Sequence, residues 1–203
     1  MLIVISNPSP IENEANIINA LFEGELEILH LRKPEATEGE IRRILDGINA
    51  SYHPKIALYN HHQIANEYGL KRLHFTEAKR QETLEEKLIE LTEAGFTLST
   101  SVHSIAEYKE LPSAFAFTFF SPVFNSISKS GYVSSIPEDF VFPVEVGKPK
   151  VIALGGIEAS NVRQVVKMDF DGVAVLGAIW QEPKEALKQY NAIKKVWLGE
   201  KVE

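Results

Sequence analysis

Val151–Ile157 reads VIALGGI, an apolar run that stops on two adjacent glycines. A helix-like pattern follows it. Then comes Asp171–Ile179, DGVAVLGAI, a second apolar run interrupted by Gly177. Two late strands that end on small residues match the phosphate site of an eight-stranded parallel barrel. Such a site needs backbone N–H groups that a phosphate approaches closely, and a side chain at those points blocks the approach.

Working outward, short apolar runs alternate with amphipathic segments. Leu2–Ile5 is strand-like and ends at the turn signal Ser6-Asn7-Pro8. Ile11, Ala15, Ile18 and Phe22 then recur at helical spacing. Leu26–Leu31 predicts a second strand. Thr37 and Glu40 form a capping box for the helix after it. Lys55–Tyr59, Arg72–Phe75 and Phe96–Thr100 predict the next three strands, and a short helix over Gln63–Tyr68 and a longer one over Glu82–Glu93 lie between them. Ala114–Phe120, AFAFTFF, is continuously apolar, as in a strand buried on both faces. Val151–Leu154 and Gly172–Leu176 complete eight. Pro183 opens a last helix with Ala186, Leu187, Tyr190, Ile193 and Trp197 on one face. Eight strand–helix repeats predict a compact single-domain (β/α)8 TIM barrel over residues 1–203, with an open doubly wound sheet as the alternative.

The bulk properties bound the function. The 203 residues suit one core, and the net charge of −7 argues against a sequence-independent grip on nucleic acid. The absence of cysteine removes disulfides, thiolate nucleophiles and cysteine metal sites together. MLIVISNPSP lacks a charged leader region, and no stretch approaches a membrane span. A cytoplasmic protein without membrane contact is expected, with a homodimer the commonest oligomer.

In a barrel, the site lies at the C-terminal strand ends. Those ends carry Ser6-Asn7, His30 and Arg32, Tyr59-Asn60-His61, His74, Ser101, His103, the Ser121–Lys129 stretch, Gly155-Gly156 and Gly177, and five of the six histidines fall at or near them. Gly155, Gly156 and Gly177 offer N–H groups to an anion. Ser101, Ser126 and Ser128 offer hydroxyl donors, and Arg32 and Lys129 offer charge. Each has a plainer reading: the glycines as turns or helix caps, Lys129 as a solvated surface lysine, and Ser101 or His103 as a cap for the next helix. An imidazole at His103 is suited to moving protons near neutral pH. His61 and His62 are adjacent, point differently, and read as rim residues rather than ligands of one metal.

In this order, LHLR (Leu29–Arg32), Asn60, Leu73-His74, SVHS (Ser101–Ser104), SPVFNSISK (Ser121–Lys129), LGGI (Leu154–Ile157) and Gly172–Ile179 resemble the thiamine phosphate synthase family and its sister group, the thiazole tautomerases. The synthases join a thiazole phosphate to a pyrimidine pyrophosphate with Mg²⁺. The resemblance implies thiazole phosphate contacts at Gly156 and Gly177, and pyrophosphate contacts at Arg32, Asn60, Ser101 and Lys129. Ser126 and Ser128 stand where threonines are usual.

The departures bear on the reaction. Where the synthases have two metal-binding aspartates, this chain has His61 and Lys79. An imidazole and an ammonium in place of two carboxylates remove a hard-cation site. A lysine usual two residues after the arginine is replaced by Pro34, with Lys33 as a candidate substitute. The tautomerases keep the thiazole phosphate site without the metal chemistry, and their acid/base is a histidine matching His103. The favoured expectation is therefore a thiazole phosphate tautomerase with His103 as general acid/base and no cofactor. The alternative is an Mg²⁺-dependent synthase, and a third possibility is a non-catalytic phosphate-binding protein.

Overall fold

A computed structural model describes residues 1–125, 136, 137 and 139–199. Its strands are Leu2–Ile5 (β1), Ile28–Leu31 (β2), Ile56–Leu58 (β3), Arg72–Phe75 (β4), Thr97–Val102 (β5), Phe115–Phe120 (β6), Lys150–Leu154 (β7) and Gly172–Val175 (β8). All are parallel, and they close in sequence order. Closure is explicit at β1, where Ile3 is in register with Ile28 of β2 and with Ala174 of β8. An open sheet would leave two edges, so the doubly wound alternative is excluded.

Strands β1, β6, β7 and β8 carry apolar side chains on both faces because each divides between two cores. In β1, Leu2 and Val4 join the large cluster under the helices. Ile3 and Ile5 point inward and meet Phe117, Phe119, Ile152 and Ala174. This is the period-two alternation of a strand, applied to a barrel wall. On the β2–β5 side the interior turns polar. His30 lies edge-on to Phe119 at 4.8 Å, and His74 pairs in register with Ser99.

The helices follow their local signals, with three differences. Glu14–Glu23 (α1) and Glu38–Asp46 (α2) come first. The predicted capping box is present at α2: Glu40 N donates to Thr37 Oγ1 at 3.3 Å, and Thr37 N donates to Glu40 Oε2 at 2.8 Å. The predicted helix over Glu82–Glu93 is instead two, Glu77–Glu82 (α3) and Glu85–Glu93 (α4). Thr83 and Leu84 are extended, and Thr76 caps α3 by accepting from Lys79 N. Over Gln63–Tyr68 only a 3-10 turn forms, at His62–Ile64. Ile105–Glu110 (α5), Val162–Lys167 (α6) and Gly177–Trp180 (α7) follow. The last helix, Ala186–Gly199 (α8), starts after a 3-10 turn at Pro183–Glu185 and buries Ala186, Tyr190, Ile193 and Trp197. Leu187, expected on that face, is 37% exposed. Among the described residues, no helix is long and apolar enough to cross a membrane.

Lys33 and Glu14 fix the loops after β1 and β2 to each other. Lys33 Nζ donates to both oxygens of Glu14, at 2.8 and 2.6 Å, and to the Ser9 carbonyl at 2.9 Å. Both side chains are buried, and burial pushes the Glu14 carboxyl upward against the opposing pull of Lys33. Removing one partner strands a buried charge. Glu14→Ala is expected to cost about 3–5 kcal/mol in urea denaturation, whereas Glu14→Leu combined with Lys33→Met is expected to be neutral or stabilising.

Candidate active site

A cavity of about 650 Å³ opens at the C-terminal ends of the strands. It gathers Arg32, Ser101, His103, Gly155, Gly156 and Gly177 from the predicted site, with Tyr59 and His74 in its wall. Its size suits a small organic ligand. Ser126, Ser128 and Lys129 lie outside the described residues, as does the rest of the stretch to Ser134.

His103 follows directly on β5. It does not cap the next helix: Ser104 does, accepting from Glu107 N at 3.1 Å. His103 Nδ1 lies 2.8 Å from the Ser121 carbonyl oxygen. A carbonyl only accepts, so Nδ1 carries the proton of the neutral ring and Nε2 keeps a lone pair. Nε2 makes no hydrogen bond among the described residues, and the ring lines the cavity. The main chain is held too, by His103 N donating to Glu107 Oε2 at 3.0 Å.

The glycine pair has a second reason to lack side chains. Gly155 and Gly156 have φ of +107° and +63°, where L side chains are strained. A Cβ on Gly156 would lie 2.5 Å from the Asn125 carbonyl oxygen, and one on Gly155 3.0 Å from Pro122 Cα. The segment after β6 therefore packs directly on the turn after β7. Phe124 N donates to the Gly155 carbonyl at 3.1 Å, and Asn161 Nδ2 to the Gly156 carbonyl at 2.7 Å. Gly177 opens α7, which Trp180 anchors to β1 by donating from Nε1 to the Ile5 carbonyl at 2.7 Å. Gly177 and Ala178 both line the cavity, and N–H groups of a first helical turn have no intrahelical acceptor.

Arg32 brings the charge. Its main chain is clamped by Ser6 Oγ, which accepts from Arg32 N at 2.9 Å and donates to Arg32 O at 3.1 Å. Its guanidinium makes no hydrogen bond or ion pair among the described residues and faces the cavity. Lys33 does not join it, being committed to Glu14. Asn60 is not in the cavity wall either: its Nδ2 donates to the Lys33 carbonyl at 3.1 Å. The sequence offered no sign of that, because an asparagine at a strand end serves a loop or a ligand equally well.

The two positions that depart from the synthases are also occupied by local bonds. His61 Nε2 lies 2.9 Å from the Ala36 carbonyl, which makes it the donor. Lys79 Nζ donates to His62 Nδ1 at 3.0 Å, and His62 Nε2 spans the Leu58 and His74 carbonyls at 3.0 and 3.1 Å. Burial, and then Lys79, push His62 down to about 4. Two carboxylates do reach the cavity, Glu77 after β4 and Glu158 after β7, but these strands lie far apart around the barrel. Among the described residues no three His, Asp or Glu side chains converge. Glu77 and Glu158 therefore do not form a paired carboxylate site, and the positions of the two synthase aspartates hold an imidazole and an ammonium, which do not ligate a hard cation.

Three residues placed at the strand ends by the sequence, but given no role there, act through the main chain or from inside the barrel. Ser121 holds His103 chiefly by its carbonyl at 2.8 Å, with its hydroxyl 3.3 Å from the same nitrogen. His74 is fully buried, stacked on Tyr59 with ring centroids 3.9 Å apart, and its place on β4 between Leu73 and Phe75 was the available sign. His30 is enclosed in the barrel and pushed down to about 3 by burial and then by Arg72.

With this geometry in view, the fold is that of the compact (β/α)8 barrels. The model of the thiamine monophosphate synthase family matches residues 2–179. The chain belongs to that family. No curated protein gives a significant match. Among solved structures, a thiamine phosphate pyrophosphorylase from Bacteroides thetaiotaomicron is 27% identical, with a TM-score of 0.72 and 96% of each chain covered. One from Pyrococcus furiosus is 19% identical, with a TM-score of 0.75, 98% of this chain and 95% of that one covered. The 3-hexulose-6-phosphate synthase of Salmonella typhimurium shares the fold at 16% identity and a TM-score of 0.70, covering 98% of this chain and all of its own.

Two outcomes follow from the site's electrostatics and packing. His30, His62 and His74 are all held below the ordinary histidine range, mainly by burial. The unfolded chain takes up protons that the folded state refuses, so this contribution is complete above about pH 6.5 and is lost as pH falls toward 4. Each group contributes a slope approaching about 1.4 kcal/mol per pH unit within that window. Urea unfolding at several pH values measures the slope, and His62→Gln is expected to reduce it by about one proton. Separately, Gly156→Ala is expected to cost roughly 1–3 kcal/mol from backbone strain alone, read by thermal unfolding, and to weaken phosphate binding.

Proposed function

We propose that this member of the family is an isomerase: a thiazole phosphate tautomerase with His103 as its general acid/base. The observation that carries the reading is the His103–Ser121 bond, which leaves Nε2 as a bare lone pair facing the cavity. Tautomerisation removes one proton from a carbon of the ring system and returns one at another position, with no net change in charge or composition. Nε2 takes the first proton, which makes the ring an imidazolium still tied to Ser121 through Nδ1–H. The same nitrogen then delivers a proton to the second position. Gly155, Gly156, Gly177 and Ala178 provide the N–H groups that hold the phosphate, with Arg32 a cation that is unpaired among the described residues. The phosphate fixes one end of the ligand, and the ring extends from there toward His103. No metal, nucleic acid or second protein enters these steps.

A synthase is the second reading, and the pyrophosphorylase name of the Bacteroides relative, with the family's own, favours it. Against it stand Lys79 tied to His62 and Lys33 tied to Glu14, where a pyrophosphate and its metal ion would need carboxylates and a mobile cation.

The test uses purified protein with the unrearranged thiazole phosphate, and separately with thiazole phosphate plus pyrimidine pyrophosphate, each with and without Mg²⁺. The tautomerase reading expects turnover of the first without Mg²⁺. It expects His103→Ala to lower kcat by roughly 10²–10⁴-fold, with little change in KM. Robust Mg²⁺-dependent formation of thiamine phosphate would reject it in favour of the synthase.

A further inference from the structure

Ser101, His74 and Ser99 form a hydrogen-bonded column that runs from the cavity into the barrel. Ser101 Oγ lies 3.2 Å from His74 Nε2, and His74 Nδ1 lies 3.0 Å from Ser99 Oγ. Ser99 Oγ in turn lies 3.4 Å from the Leu73 carbonyl. His74 and Ser99 are buried, so their bonds have to be made within the protein.

The column has a direction. In one arrangement Ser99 donates to Leu73 O, His74 Nδ1–H donates to Ser99, and Ser101 donates to the bare His74 Nε2. That makes three internal bonds. In the reverse arrangement Ser99 donates to Nδ1 and Nε2–H donates to Ser101, which makes two and leaves Leu73 O without its hydroxyl donor. The first arrangement satisfies more buried groups. The column also ends on a carbonyl, which cannot pass a proton on, so it sets polarity rather than relaying protons. Burial and the surrounding cationic groups keep His74 neutral, as the column requires. Arg80 fixes the backbone end, with Nη1 donating to the Ser101 carbonyl at 2.9 Å.

We infer that His74 is a positioning residue that makes Ser101 a hydrogen-bond acceptor toward the cavity. Ser101 then selects for a donor on the ligand, an N–H or O–H on the ring side, and does not bind phosphate or pyrophosphate oxygens. This reverses the hydroxyl-donor role that the sequence suggested. It rests on the cavity being the ligand site, as the tautomerase reading does, but its test needs no turnover.

Long-range proton–nitrogen correlation spectra of protein labelled in its histidine rings read the His74 tautomer directly. The expected form is Nδ1–H in the wild type. Ser99→Ala, a small change, removes the acceptor for Nδ1–H and is expected to shift the ring to Nε2–H. In parallel, calorimetric titration with inorganic phosphate and with inorganic pyrophosphate compares wild type with Ser101→Ala. Both affinities are expected to stay within about twofold. A wild-type ring in the Nε2–H form, an unchanged tautomer in Ser99→Ala, or about tenfold weaker pyrophosphate binding in Ser101→Ala would each overturn the inference. A lack of tautomerase turnover would sink the proposed reaction while leaving these readings intact.

Discussion

Closure of the barrel is the constraint on which the other features depend. With β1 paired to β8 there are no free edges, and every second residue of every strand shares one enclosed space. That space is not uniform. Isoleucine and phenylalanine fill one side, while His30, His74, Ser99 and Ser101 occupy the other. Groups buried there cannot turn to water, so each finds a partner within the wall or is held neutral. The polar column under the cavity is a product of strand parity and closure together.

The fold was largely legible because its signals are local. Alternating apolar runs, Thr37 with Glu40, and the glycines after β7 and β8 each specify an element without reference to distant residues. The failures are also local. Thr83-Leu84 broke a helix predicted as continuous, because both residues take extended backbone between α3, capped by Thr76, and α4. Leu187 carries the right residue type at a position the α8 packing leaves half-uncovered.

The site was legible residue by residue but not in its bonding. His103, Arg32 and the glycines stand together as the strand ends implied. Asn60, Lys33 and His61 have chemistry that suits a ligand, yet each is taken up by a neighbour's main chain or carboxylate. Competition from a nearby carbonyl or carboxylate leaves no trace in residue type. It depends on which loop is folded against which, and here Lys33, Asn60 and His61 join the loops after β1, β2 and β3 to one another, while Arg32 and Tyr59 beside them line the cavity.

The segment between Ser121 and Asn125 joins two duties that the sequence keeps apart. Its first carbonyl sets the protonated nitrogen of His103, and its last one presses against Gly156. His103 and the glycine turn thus share a single brace, so any movement of the turn after β7 is passed to the imidazole. Main-chain oxygens make the two strongest of these contacts, so a shift in the backbone of five residues is felt at the imidazole and at the glycine turn together.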